Sequence, residues 1–142
     1  MTPLTLVESL AIPLALANVD TDQLIPARFM KRPRSEGYGP FLLHDLRADP
    51  TSEAVRLDDP AFAGAQILIT RRNFGSGSSR EAAVYALADF GFRCILAPSF
   101  GDIFASNAVK NGVLPAIIAE ADAEALLNNE TVRSGGSVHI DL

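Results

Sequence analysis

Gln66-Ile-Leu-Ile-Thr-Arg-Arg-Asn-Phe-Gly-Ser-Gly-Ser-Ser-Arg-Glu81 reads as a strand, a glycine-rich turn and a helix start in direct succession. Gln66 to Thr70 is a short apolar, β-branched run of buried-strand type. Beyond the turn, Ala82, Ala83, Tyr85, Ala86, Leu87, Ala88 and Phe90 favour a helix, closed by Gly91 where a left-handed residue is wanted. Ser78 and Glu81 have the S-x-x-E spacing of a capping box, which predicts Ser78 as N-cap and a helix from Ser79. Gly75 and Gly77 let the backbone turn sharply and come close to a ligand. Free amides at the helix start then face the same space as the Ser78 hydroxyl and, in an inward rotamer, the Arg80 guanidinium. That is an anion site by geometry.

The alternation continues downstream. Phe92 to Ala97 reads as a strand stopped by Pro98, and Ser99 with Asp102 can cap a helix to about Lys110, ended by Gly112. Val113 to Ala119 is a further apolar run, Ala121 to Asn129 a further helix, and Gly135-Gly136 precedes a last strand, Ser137 to Leu142. Strand and helix in turn imply crossover units and a parallel component to the sheet. Upstream, Leu4 to Leu16 carries apolar runs on either side of Pro13, so the N-terminal third reads as β with long loops. Asn18-Val-Asp-Thr-Asp-Gln-Leu-Ile-Pro26 is a polar turn before a short apolar run. Asp20 and Asp22 suit a side-chain-stabilised turn better than a calcium loop, whose Gly and distant Glu are absent. Arg28 to Gly39 is a cationic loop, either a solvated surface or a lid for an acidic substrate. Phe41 to Leu46 suits a short helix, and Arg47 to Pro60 a polar connection. The expected fold is a compact α/β domain with a mixed sheet flanked by helices, spanning 1–142 as one unit.

Composition narrows the function. With 48% hydrophobic and 20% charged residues the chain suits one packed core, and no apolar run approaches the length of a membrane helix. Met1-Thr-Pro-Leu-Thr-Leu-Val-Glu8 has no basic segment of secretory type. A net charge of −5 argues against nucleic acid and anionic membranes as partners. The single cysteine, Cys94, lies in an apolar strand-like run and reads as a small core residue in a reducing, cytoplasmic setting, with no metal site in the chain. His44 has no second histidine nearby and receives no catalytic role.

Familiar glycine-loop chemistries fit the letters poorly. A dinucleotide fingerprint wants glycine where Arg80 stands and an acid near Pro98-Ser99, a phosphate loop wants a lysine that is absent, and Gly75-Ser76-Gly77 is no nucleophile elbow. His139 is a weak triad candidate, and by itself Ser78 reads as a helix cap.

Asn18-Val-Asp-Thr-Asp-Gln-Leu-Ile-Pro26, Asn73-Phe-Gly-Ser-Gly-Ser-Ser-Arg-Glu81, Ala97-Pro-Ser-Phe-Gly-Asp-Ile-Phe-Ala-Ser-Asn107 and Asn111-Gly-Val-Leu-Pro115 together closely resemble the small subunits of isopropylmalate dehydratase, of the aconitase superfamily. The resemblance covers nearly the whole chain in order. It implies the swivelling β/β/α domain and the interconversion of 2-isopropylmalate and 3-isopropylmalate by dehydration and rehydration, in leucine biosynthesis. It also implies a large-subunit partner that carries the iron-sulfur cluster, no cofactor in this chain, and a small dicarboxylate substrate.

By the same resemblance Ser78 matches the general base, and Ser79 and Arg80 match positions that contact a substrate carboxylate. Asp22 matches the aspartate of the Thr-Asp element lining the site. Arg32 falls where an arginine of the substrate loop lies, with Arg28 a further candidate. A serine hydroxyl is a weak acid, so helix amides and an inward Arg80 would have to stabilise its negative form. Departures from the family pattern are Ala82 where bacterial relatives usually have histidine, Ser76 between the glycines, and the loop Lys31-Arg-Pro-Arg-Ser-Glu-Gly37. They leave open a methylmalate, dimethylmalate or homocitrate type of substrate. A stand-alone dicarboxylate-binding module and a purely structural subunit are the other readings. Many bacterial members continue for some tens of residues past this C-terminus, which leaves open both a short natural form and one lacking a C-terminal extension.

Overall fold

The structure, a computed structural model, describes residues 6–77 and 80–141. Its centre is a five-stranded sheet of β1 (Leu6–Leu14), β2 (Ile67–Thr70), β3 (Cys94–Ala97), β4 (Leu114–Ile117) and β5 (Ser137–Asp141), in the order β4-β3-β2-β1-β5. β1 to β4 are parallel, and β5 returns antiparallel beside β1. The mixed sheet expected from the alternating pattern is therefore present.

Register explains which face each residue serves. Ala11, Ile67, Cys94 and Leu114 lie in one row across the strands, and Ile12, Leu68, Ile95 and Pro115 in the next. Because side chains alternate along a strand, the first row packs with Ile69, Leu96, Leu127 and Val132 on one face. Ile12, Leu68 and Ile95 of the second row pack with Leu14, Ala83, Leu87 and Phe104 on the other. Each fully buried Ile or Leu contributes about 1.5–3 kcal/mol of transfer free energy.

The helices divide between these faces. In chain order they are α1 (Thr21–Leu24), α2 (His44–Arg47), α3 (Glu81–Phe90), α4 (Asp102–Lys110), α5 (Glu120–Leu127) and α6 (Glu130–Arg133). α3 and α4 cover the face carrying Leu68 and Ile95, whereas α5 and α6 bring Leu127 and Val132 to the opposite face. The passage through α5 and α6 carries the chain from edge strand β4 to the far edge, where β5 pairs with β1.

Several expectations are corrected. Within the Leu4 to Leu16 stretch, read as a strand or two, the described residues form one strand, β1, that runs through Pro13. The β5 pairing stops at Leu10, and Pro13 O accepts from Arg56 Nη1 at 3.3 Å, so the missing N–H falls on an edge where no ladder needs it. Between β1 and β2, where β with long loops was expected, there is no further strand. The segment is a chain of short helical turns at 27–31, 34–36, 39–41, 53–58 and 60–62, with α1 and α2 among them. Prolines interrupt every longer segment there, and side chains close the turns: Ser52 Oγ accepts from Ala54 N, and Asp59 Oδ1 from Ala61 N. α2 begins at His44, after Leu43 with φ +50°. α6 was not foreseen. Asn129 Oδ1 accepts from Val132 N and starts it.

Candidate active site at the carboxyl ends of the parallel strands

Three connections leave the carboxyl ends of β1, β2 and β3 and are laced together by backbone bonds. Asn18 N donates to Arg72 O at 2.9 Å, Gly75 N to Val19 O at 2.7 Å and Thr21 N to Ser76 O at 2.9 Å. On the other side Phe74 N donates to Ser99 O at 3.1 Å and Gly101 N to Phe74 O at 2.9 Å. Open parallel sheets bind ligands at this end, because loops from adjacent strands can place several groups around one volume.

Two glycines make the approach possible. Gly75 has φ +79°, and a Cβ there would stand 2.2 Å from Phe104 Cγ. A Cβ on Gly101 would stand 2.6 Å from Gly75 O. Ser99, expected to cap a helix, does something else: its Oγ accepts from Asn73 N at 2.8 Å, while Asn73 Nδ2 donates to Asn18 Oδ1 at 3.1 Å. α4 starts at Asp102 with Gly101 as N-cap and no side-chain cap.

The two aspartates of the Asn18–Pro26 stretch have different tasks. Asp20 Oδ1 accepts from Gln23 N at 2.8 Å, and Gln23 Oε1 accepts from Asp20 N at 3.0 Å, a reciprocal capping box that starts α1. This is the side-chain-stabilised turn read from the sequence. Asp22 points the other way and accepts from Arg80 Nη1 at 2.7 Å. Among the described residues no group of three His, Cys, Asp or Glu side chains is arranged to hold a metal ion.

Helix α3 begins later than expected. Its first residue is Glu81, with Arg80 as an extended N-cap (φ −73°, ψ 105°) and no side-chain capping bond. The Ser78–Glu81 capping box is therefore not the start of the helix. Gly77 has φ +100°, Arg80 is extended, and Glu81 Oε1 accepts from Asn111 Nδ2 at 3.0 Å. Ser78 and Ser79, the expected base and a carboxylate contact, lie outside the described residues. Their neighbours are placed: a Cβ on Gly77 would stand 3.5 Å from Asp20 Cβ and Thr21 Oγ1, against the first turn of α1.

A family model for the aconitase C-terminal domain matches residues 1–121, most of the chain. The chain belongs to the aconitase C-terminal domain family. It is 48% identical over 142 residues to the 3-isopropylmalate dehydratase small subunit of Acidobacterium capsulatum, covering 100% of this chain and 68% of that one. Its fold is similar to the crystal structure of 3-isopropylmalate dehydratase from Methanocaldococcus jannaschii, with a TM-score of 0.71 and 25% sequence identity, over 96% of this chain and 71% of that one.

In this member of the aconitase C-terminal domain family, the candidate arginines are not equally placed. Arg80 has 27% of its side chain exposed and reaches Asp22 directly. Arg28 makes a two-pronged pair with Asp45, Nη1 to Oδ2 at 3.0 Å and Nη2 to Oδ1, and its guanidinium lies 4.5 Å from the Phe29 ring centroid. Hydrogen bonding from Arg28, then from His44, holds the Asp45 carboxyl down at about 2. Arg28 is raised in turn, chiefly by its hydrogen bond to Asp45. Arg32 lies 3.9 Å from Glu36 and 5.5 Å from the Phe41 centroid, so these partners belong to its own segment.

Sequence reading missed Asn111 as the partner of Glu81 and Asp45 as the partner of Arg28. No spacing rule links residues 30 or 17 positions apart in different elements. Cys94 is fully buried, and burial pushes its thiol up to about 11, which makes it a core residue and a poor ligand. Among the described residues no helix is long and apolar enough to cross a membrane.

Proposed function

We propose that this chain is the small subunit of a two-chain hydro-lyase interconverting 2-isopropylmalate and 3-isopropylmalate by dehydration and rehydration, in leucine biosynthesis. The observation that carries this reading is the 48% identity over the whole chain to a relative named as the small subunit of 3-isopropylmalate dehydratase. The convergence of three loops at the carboxyl ends of the sheet, with an arginine reaching across them, supplies a matching locus.

In this reading Ser78 takes the proton from the substrate carbon, and Ser79 and Arg80 hold a carboxylate. Arg80 is suited to that task because a guanidinium presents paired donors to a carboxylate. Asp22 lines the same site and competes with the substrate carboxylate for the Arg80 fork. Arg28 and Arg32 come from the 27–39 segment and act on the substrate's remaining charge or side group, exchanging their present partners as the site closes. The amides at the start of α3, together with Arg80, stabilise negative charge on the Ser78 oxygen.

The iron-sulfur cluster belongs in this proposal to the large subunit. This chain's residues do not fit one, since its single cysteine is buried as a neutral thiol and the described residues hold no ligand cluster. The chain works as a single swivelling domain in the cytoplasm, with the large subunit as partner and neither nucleic acid nor membrane. An unpaired buried thiol accords with a reducing compartment.

The test is reconstitution with cluster-bearing large subunits and assay of a panel of substituted malates. The expected result is turnover of isopropylmalate only when both chains are present. Tight dicarboxylate binding by this chain alone, with no turnover in any mixture, would replace the proposal with a binding module. Preference for another substituted malate would retain the hydro-lyase class and change the substrate.

A further inference from the structure

The cationic segment after the helical turn 27–31 is fastened to the far end of α3 through one carboxylate. Asp89 Oδ1 accepts from Arg34 Nη2 at 3.0 Å, and Asp89 Oδ2 accepts from Tyr38 N at 2.9 Å. The Arg34 guanidinium also lies 4.2 Å from the Tyr85 ring centroid, one helical turn before Asp89. Tyr38 is 6% exposed, and its hydroxyl donates to Arg32 O at 2.6 Å. Gly39 follows so closely that a Cβ would stand 3.1 Å from the Asp89 and Phe90 backbone. Residues 32, 34 and 38 are thus all referred to α3, directly or through Tyr38.

Asp89 is poorly placed for helix stability by itself. It is the second-last residue of α3, where the helix dipole disfavours negative charge, and no basic residue of the last turn offsets it. Its carboxylate instead has Arg34 and a backbone N–H as partners, and its side chain is 22% exposed. The same helix carries Arg80 at its N-cap, about 13 Å away along the axis at 1.5 Å per residue.

We propose that Asp89 is a positioning residue for substrate selection: it clamps the 32–39 strap onto α3, and so fixes Arg32 relative to Arg80. The ligand class concerned is a substituted malate, whose carboxylate meets Arg80 and whose side group meets the strap. This rests on the hydro-lyase reading above. Asp89 touches no substrate and acts through Tyr38 and Arg34.

The test uses the full chain with Asp89→Asn, Asp89→Ala and Tyr38→Phe, each checked for an unchanged helical spectrum. In the isolated chain, Asp89→Ala should speed tryptic cleavage after Arg34 by about tenfold or more, because the lost bonds involve charged groups and cleavage follows local opening. In the reconstituted enzyme, Asp89→Asn and Tyr38→Phe should raise KM several-fold, by unequal factors for malates of different side group, with kcat within about twofold. Equal losses for every substrate, with KM ratios unchanged, would overturn the proposal, since a merely structural role lowers the amount of active enzyme uniformly. An unchanged cleavage rate would overturn the clamp itself. If no large subunit and no malate gave turnover with the unaltered chain, the hydro-lyase reading would fall and selection with it. The tryptic rate would still report the clamp, so the two failures are distinguishable.

Discussion

Arg80 Nη1 stands 2.7 Å from Asp22 Oδ1, an ion pair between residues 58 positions apart that joins the first turn of α1 to the N-cap of α3. Asp22 has 69% of its side chain exposed, so the pair adds little to stability, about 1 kcal/mol at most. Its significance is orientation: the guanidinium is held where the loops after β1 and β2 meet. Arg80→Lys should raise KM about tenfold or more with a smaller change in kcat, because an ammonium cannot reproduce the paired donors. Steady-state kinetics of the reconstituted enzyme measures this. An unaltered KM would remove Arg80 from the carboxylate site.

Ser78→Ala should abolish turnover while the two chains still assemble. Single-turnover assay and size-exclusion chromatography of the mixture separate the two properties. Full activity in that variant would show that another group takes the proton.

Gly75 and Gly77 are expected to differ in what they tolerate. Both have positive φ, but a Cβ on Gly75 collides with Phe104, whereas one on Gly77 meets nothing closer than 3.5 Å. Gly75→Ala should therefore cost roughly 2–4 kcal/mol, combining backbone strain with overpacking, and Gly77→Ala about 1 kcal/mol from strain alone. Urea denaturation midpoints of the two variants decide it, and equal losses would show that Phe104 yields.

Cys94 makes stability depend on alkaline pH. Burial lifts its thiol to about 11 from the ordinary thiol value of 9.0, so between these limits the unfolded chain loses its proton first. The unfolded state then binds fewer protons than the native state, and stability falls as pH rises through that window. Cys94→Ala should remove this part of the slope while costing core packing. A native chain that reacts quickly with a thiol reagent at pH 8 would contradict the burial.

Much of this was legible because it is local. Ile67–Thr70, Cys94–Ala97 and Leu114–Ile117 are short apolar runs set between turn residues, and α3, α4 and α5 were found within a few residues of their observed limits. The exceptions share a cause. The helix read from Ser79 starts at Glu81, whose carboxylate accepts from Asn111 at the end of α4. Ser99 looked like a cap, but its hydroxyl fixes Asn73 of the neighbouring loop. In each case a polar side chain satisfied a group from another element, and a local rule cannot see that competitor.

From its residue order alone, this chain determined its strand and helix alternation, its parallel component and the family to which its Asp-Thr-Asp, Gly-Ser-Gly and Pro-Ser-Phe-Gly elements belong. The alternation and the parallel component follow from side-chain periodicity and from glycine and proline placement, which act over a few residues, and the family from the resemblance of those elements to known members. Only the tertiary structure decided that Asp22 faces Arg80 while Asp20 caps α1, that Arg28 is held by Asp45, and that Asp89 fastens the cationic strap. Such pairings depend on strand register and on how loops cross at the sheet's carboxyl end, and those are set by packing both faces of the sheet together.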